Sequence, residues 1–258
     1  MTRVLVDQQG GLLTITLNRP EARNALENSM IARLVELFTN AQHDESIRAV
    51  LLRGAGKAFC SGDDLKDMGT DSHPVRDNPF DEYAAGYPRI VQAMRALNKP
   101  IVVAVHGYAM GAGMELMLAG DYIVAATGAK VSLPFVKRGI AAGTALLIKE
   151  TSYHYAADLL FTGRVADIDE LHRQGIVARM CDPGEVGDVA QDVAEKLATA
   201  PTSVVAAIKR ALREGEHTGM DAALALQVGA TVESSLSEDF AEGKEAFAEK
   251  REPKFSGK

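Results

Sequence analysis

"HGYAMGAGMELMLAGD", residues 106–121, decides how the rest of the chain is read. It holds four glycines and three alanines, and it sets one acid, Glu115, among Met114, Leu116, Met117 and Leu118. Just upstream, "KPIVVAVHG" (99–107) has the continuous apolar run of a buried strand. The pattern then predicts a helix starting near Ala112. Gly111, Ala112 and Gly113 therefore stand at a strand-to-helix junction. The first N–H groups of a helix have no partner inside it and carry a partial positive charge. Such a junction suits an oxygen that gains negative charge during a reaction, and it equally suits tight helix–strand packing. A carboxyl in an apolar setting holds its proton more tightly, which suits acid–base work near neutrality. The alternative for Glu115 is the solvent face of a helix, but its neighbours leave little polar face.

A second small-residue segment lies upstream. "RAVLLRG" (48–54) reads as a short buried strand, and "GAGKAFCSGDDLKDM" (54–68) leaves it as a glycine-punctuated loop. Backbone N–H groups in such a turn can converge on one spot. Alone, a loop that needs unusual dihedrals explains it equally well.

Farther out, strand and helix signals alternate to about residue 180, which predicts an α/β architecture. Leu13, Ile15 and Leu17 alternate with Thr14 and Thr16 as in a half-buried strand. Ile31, Leu34, Val35 and Phe38 recur at helical spacing, and a further helix is expected from Pro88 to Leu97. After about residue 183 the strands stop and amphipathic helices follow. Leu224, Val228 and Val232 recur every four residues and share a helix face.

The 258 residues carry a net charge of −7, which disfavours nucleic acid as the main partner. Cys60 and Cys181 form no disulfide framework and fit a reducing cytoplasm. No stretch approaches the length of a membrane span, and the start lacks the apolar core of a signal peptide. His43, His73, His154, His172 and His217 are scattered without metal-ligand spacing, and His106 at a strand end suits a structural hydrogen bond. There is no serine-nucleophile elbow or P-loop, and "GAGMEL" is no dinucleotide fingerprint.

The two segments, in this order, resemble the oxyanion-hole motifs of the crotonase, or enoyl-CoA hydratase/isomerase, superfamily. "LNRPEARNAL" (17–26), "NKPIVVAVHG" (98–107), "FTGRVADIDELHRQGIVARM" (161–180) and "EGKEAFAEKREPKFSGK" (242–258) resemble further parts of that family, so the likeness spans nearly the whole chain. It implies a crotonase-like spiral of strand–strand–helix repeats over about 1–190 and a helical trimerisation region over 191–258. It implies a homotrimer or a hexamer, with the face of Leu224, Val228 and Val232 partly covered by neighbouring subunits. It implies an acyl-CoA substrate, with coenzyme A as part of that substrate and no separate cofactor. The backbone N–H groups of Asp63 and Ala112 match the pair that holds the thioester oxygen as an enolate forms. Ala22, Arg23, Lys66, Phe247 and Lys250 match coenzyme A contacts. Glu115 matches the first glutamate of the hydratases, where it faces the α and β carbons.

The second hydratase glutamate is missing. The matching stretch is "VSLPFVKRGIAAGTALL" (131–147), and Phe135 stands where that acid would be. Phe135 cannot hold the water that two carboxylates share. Three readings follow. Glu115 alone shuttles a proton, as in moving a double bond along the chain. Or another residue replaces the acid, with Asp71, His73, Tyr83 and Tyr87 as candidates. Or the chain binds acyl-CoA with little turnover. RNA binding, reported for some relatives of the family, runs against the negative charge.

Overall fold

A computed structural model describes residues 2–67 and 84–258. The chain opens with an antiparallel hairpin of β1 (Val4–Gln9) and β2 (Leu12–Leu17). Gly10 turns it at φ +55°, a region that favours glycine. Then come α1 (Asn28–His43), β3 (Ala49–Gly54), α2 (Pro88–Ala96) and β4 (Ile101–Val105). They are followed by β5 (Tyr108–Met110), α3 (Ala112–Leu118), β6 (Tyr122–Ala126) and β7 (Lys130–Ser132). Next come α4 (Thr144–Glu150), α5 (Tyr153–Thr162), the short strand β8 (Ala166–Asp167), α6 (Ile168–Arg173) and the last strand, β9 (Arg179–Cys181).

The larger sheet runs β1-β2-β3-β4-β6-β9, parallel from β2 onward. The smaller sheet runs β5-β7-β8. Thus β4 and β6 each enter the large sheet, and the strands that follow them, β5 and β7, pair in the small one. Strand, strand and helix repeat as the chain winds, and the expected α/β class is what the chain adopts.

The inner parallel strands β3, β4 and β6 are largely buried on both faces, as continuous apolar runs require. Val50, Leu52, Ile101, Val103 and Val105 face the main core with Met30, Leu34 and Phe38 of α1 and Ile90 and Met94 of α2. Ala49, Leu51, Val102, Ala104 and Val124 face the other way, against α7 (Val186–Thr199). That helix presents Val186, Ala190, Ala194 and Ala198, a four-residue stripe of mostly small side chains that lets it approach the sheet. This second layer corrects one expectation. β2 is not half-buried: Thr14 is buried and Leu12 packs with the α7 layer, because β2 is an interior strand covered on both sides.

The last third is helical: α8 (Thr202–Gly215), α9 (Met220–Ser235) and α10 (Glu238–Glu249). α8 is pinned by Lys209, whose Nζ donates to Lys99 O at 2.7 Å and to Asp121 Oδ2 at 2.5 Å. On α9, Leu224, Val228 and Val232 are exposed in the single chain. The tail returns to the start of β3, where Arg48 donates to Phe255 O at 3.1 Å. Buried Asp239 accepts the N–H groups of Ser256 at 2.7 Å and Gly257 at 2.8 Å.

Candidate active site

Two loops meet beyond the C-terminal end of β3. Leaving Gly54, the chain lays Cys60 beside β5: its N–H donates to Tyr108 O at 3.0 Å, and its carbonyl accepts Met110 N–H at 2.9 Å. Two residues on, Leu26 N–H donates to Gly62 O at 2.8 Å and Asp64 N–H to Leu26 O at 2.9 Å, so Leu26 lies opposite Asp63. Gly62 has φ +94°, and a Cβ there would stand 2.8 Å from Met110 O and 3.4 Å from Ala112 N. The bend at Gly62–Asp63 therefore abuts the bend at Gly111–Ala112.

The second bend has its own cause. Gly111 takes φ 53°, ψ −124°, which a side chain would oppose, and donates to Ser132 O at 2.8 Å. The chain then turns into α3, and the Ala112 N–H, first in the helix, meets no carbonyl within it. Gly113 is equally constrained. A Cβ there would stand 2.8 Å from the Cys60 Cβ and inside contact distance of the Cys60 carbonyl, so only glycine lets the loops close.

The N-terminal turn braces the first loop. Asn24, buried at φ +56°, donates from Nδ2 to the carbonyls of Ala55, Ala58 and Phe59 at 2.9, 2.8 and 3.1 Å. Its Oδ1 accepts Arg19 N–H at 2.8 Å, and Arg19 in turn pairs with Asp64. Ala22 and Arg23 touch the same loop: Ser61 donates N–H to Arg23 O at 3.0 Å and its hydroxyl to Ala22 O at 3.2 Å. The Arg23 guanidinium lies 5.8 Å from the Tyr108 ring centroid. Lys66 is exposed just past the bend, its N–H on Asp64 Oδ1 at 3.0 Å.

Both bends open on a cavity of about 950 Å³. Asp63, Ala112, Phe135 and Tyr87 line it, with apolar residues such as Leu26 and Ile140 and the charged Asp64, Lys137 and Arg138. Glu115 lies one turn into α3, behind Gly111 and Ala112, with its N–H on Gly111 O at 3.1 Å. It is 3% exposed, and its Oε1 has no hydrogen-bond partner among the described residues. Burial alone pushes its carboxyl up to about 7. Phe135 follows Pro134 in a short 3₁₀ turn, and its ring reaches within 3.7 Å of where a Cβ on Gly111 would stand.

The structure thus brings Asp63, Ala112 and Phe135 to one cavity and sets Glu115 one turn along α3, outside the residues that line it, with Ala22, Arg23 and Lys66 along the adjoining loops. Phe247, 87% exposed, and Lys250 lie at the end of α10 and do not line this chain's cavity. Of the candidates for the missing acid, Tyr87 is on the cavity wall, while Asp71, His73 and Tyr83 lie outside the described residues. Sequence reading missed Asn24 as the brace of the first loop. Its signal was an asparagine directly after a turn, a residue that tolerates positive φ and bonds backbone groups. His106 makes its expected structural contact, Nε2 to Gly56 O at 3.0 Å.

In chemical terms, a helix-start amide and a neighbouring loop bend face one cavity. A buried carboxyl that titrates near neutrality stands one turn away. That set can hold an oxygen as it gains charge and move a proton at an adjacent atom. Among the described residues no cluster of His, Cys, Asp and Glu is placed to hold a metal ion, and no helix is long and apolar enough to cross a membrane.

A family model described as enoyl-CoA hydratase/isomerase matches residues 7–258. The chain is 35% identical to the 1,2-epoxyphenylacetyl-CoA isomerase of Escherichia coli, with all of both chains aligned. It is 36% identical to the (E)-benzylidenesuccinyl-CoA hydratase of Thauera aromatica, over 94% of each. Among solved structures, an enoyl-CoA hydratase of Mycobacterium smegmatis superposes with a TM-score of 0.90 at 31% identity, covering 99% of both chains.

Proposed function

The chain belongs to the enoyl-CoA hydratase/isomerase family, and on that premise we propose that it works on its acyl-CoA thioester through an enolate, with Glu115 as the acid/base. The relatives are hydratases and isomerases, so the chain is an enzyme of the lyase or isomerase kind. One observation carries the finer reading: a buried carboxyl, one of whose oxygens has no partner among the described residues, lies one helical turn from the junction of two glycine-shaped bends. The N–H groups of Asp63 and Ala112 hold the thioester oxygen. Glu115, its carboxyl pushed up to about 7 by burial, removes a proton beside the thioester and returns it along the chain. Each fixed donor on the developing oxyanion is worth about 10²–10³ in rate.

The test is Glu115→Gln, assayed on 2-enoyl and 3-enoyl thioesters. Loss of roughly 10²-fold or more is expected for the reaction the enzyme performs. Wild-type rates would overturn the assignment. Tight thioester binding with no turnover by the wild-type protein would instead mark a binding protein.

Phe135 favours one reaction over the other. A double-bond shift needs one base and no held water, and Phe135 offers a ring and no acid to the cavity, which Lys137 and Arg138 also line. Isomerisation is therefore favoured over hydration. Ala22, Arg23 and Lys66 flank the entrance for coenzyme A. Phe247 and Lys250, remote from this chain's cavity, serve the ligand of a neighbouring copy. The exposed stripe of Leu224, Val228 and Val232 on α9 supports assembly through residues 191–258 into a trimer or hexamer. Val228→Asp should lower the mass seen in sedimentation, and an unchanged mass would remove α9 from the interface.

A further inference from the structure

We infer that Arg19 and Asn24 are positioning residues for the reaction: together they fix the direction of the Asp63 N–H, and so set how firmly the site steadies an enolate. The inference rests on the enolate reading above and deepens it by naming what aims one of the two donors.

The segment 60–64 runs between two supports. On one side is β5, whose Tyr108 O and Met110 N–H pair with the N–H and carbonyl of Cys60. On the other is the N-terminal turn, where Arg23 O accepts Ser61 N–H at 3.0 Å. Farther along the same turn, Leu26 takes both Gly62 O, at 2.8 Å, and Asp64 N–H, at 2.9 Å. Successive residues of an extended chain present their backbone groups to opposite sides. The groups on either side of Asp63 are turned to Leu26. The Asp63 N–H is therefore turned the other way, to the side where Gly62 abuts Met110 and Ala112.

Leu26 aims that amide only if Leu26 is itself held, and two residues hold it. Arg19 N–H donates to Asn24 Oδ1 and Asn24 N–H donates to Arg19 O, both at 2.8 Å. From this pair Asn24 grips the chain before the bend. Its Nδ2 takes the carbonyls of Ala55, Ala58 and Phe59, and its own carbonyl accepts the Cys60 thiol at 3.2 Å. Arg19 grips the chain after the bend. Its guanidinium donates to Ala25 O at 3.2 Å and pairs with Asp64. One ring of contacts thus holds the residues on both sides of Asp63 and closes through Leu26. Neither Arg19 nor Asn24 lines the cavity, so both act through Asp63 and not on the substrate. An error of about 1 Å in a catalytic group costs about 10²-fold in rate.

The test uses acetoacetyl-CoA, which ionises to an enolate with its own ultraviolet band. The pH at which the bound ligand ionises reports how firmly the site holds a negative oxygen, without turnover. Asn24→Gly accepts the left-handed backbone, φ +56°, and removes the side-chain amide. The expected result is an ionisation midpoint raised by about one pH unit, which is about tenfold in enolate affinity. On the thioester that the enzyme turns over, kcat should fall at least about tenfold with KM within about threefold of wild type. Affinity for a saturated acyl-CoA is kept. An unchanged midpoint in folded Asn24→Gly, or an equal loss of affinity for the enolate and the saturated thioester, overturns the inference. Should that variant not fold, Arg19→Met opens the ring from its less buried side, and an unchanged midpoint there overturns the inference too. Failure of the enolate reading looks different: the wild-type protein itself then leaves the ligand's midpoint where it stands in water.

Discussion

The Phe135 ring stands 6.2 Å from that of Tyr87 and nearly parallel to it. The stack closes one side of the cavity with carbon. On the proposed reading, Phe135→Glu would put a second carboxyl on the cavity wall, and paired acids can hold water and divide the proton traffic. The ratio of 2-enoyl hydration to 3-enoyl isomerisation should rise at least about tenfold. The same change removes aromatic packing, with a stability loss of about 1–3 kcal/mol. Rates on both thioesters, measured on one preparation, decide it, and an unchanged ratio would mean that water is excluded for another reason.

The Glu115 carboxyl, pushed up to about 7 by burial, links activity to stability with opposite signs. As a base it works when ionised, so kcat/KM should rise with pH through about 7. For stability, the folded state binds this proton more tightly than the unfolded chain does. The group's stabilising effect is therefore full below about 4.5 and is lost as pH rises through about 7. Glu115→Gln should consequently be more stable than wild type at pH 8, by up to roughly 3 kcal/mol, with little gain at pH 4.5. Denaturant melts at the two pH values would show it. Equal differences at both would mean that the carboxylate is not held at a cost.

Gly113 is where the two loops close on each other. A methyl there would meet the Cys60 carbonyl, which accepts Met110 N–H, and would lie 2.8 Å from the Cys60 Cβ. Neither neighbour is the loose end of a side chain. Gly113→Ala should destabilise by about 1–3 kcal/mol and, by parting the bends, lower kcat at least tenfold. Gly187→Ala in α7 is the control, because that glycine is also helical, has no positive φ and has open space around it. If both variants lose stability equally and both keep kcat, close approach of the loops does not matter.

The strand-to-helix junction was legible because its signals are local: an apolar run, then small residues, then helical spacing from Ala112. The last strand, Arg179–Cys181, also ends where the pattern does. The covering of β2 on its second face was not legible, because Leu12 packs with α7, some 170 residues away in the chain. Asn24 was missed for a similar reason. Its three carbonyl partners lie more than thirty residues on, and nothing beside it in sequence names them. Tyr87 was one name among four until the fold set its ring against Phe135. Pairing across the cavity is a property of the closed structure and leaves no trace in spacing.

Lys209 and Asp121 pin the helical third to the sheet, and their removal should be asymmetric. Lys209 is 6% exposed and accounts for only one of the groups on Asp121, which also accepts Ile101 N–H at 2.8 Å and lies 3.2 Å from Arg213. Asp121→Ala strands a buried ammonium beside Arg213 and leaves the Ile101 N–H without its acceptor, so a loss of about 3–5 kcal/mol at pH 7 is expected. Lys209→Met removes the charge and keeps the volume. Arg213 remains on Asp121, so that variant should lie within about 2 kcal/mol of wild type. Burial lowers Lys209 to about 8 even with Asp121 present. The folded state therefore releases this proton more readily than the unfolded chain. Its unfavourable contribution is full below about 8 and disappears as pH rises past the ordinary 10.5. Asp121→Ala should accordingly recover part of its loss between pH 7 and pH 10, measured against wild type in urea. Equal losses at both pH values would show that the stranded charge is not what destabilises the variant, and that the broken Ile101 contact is.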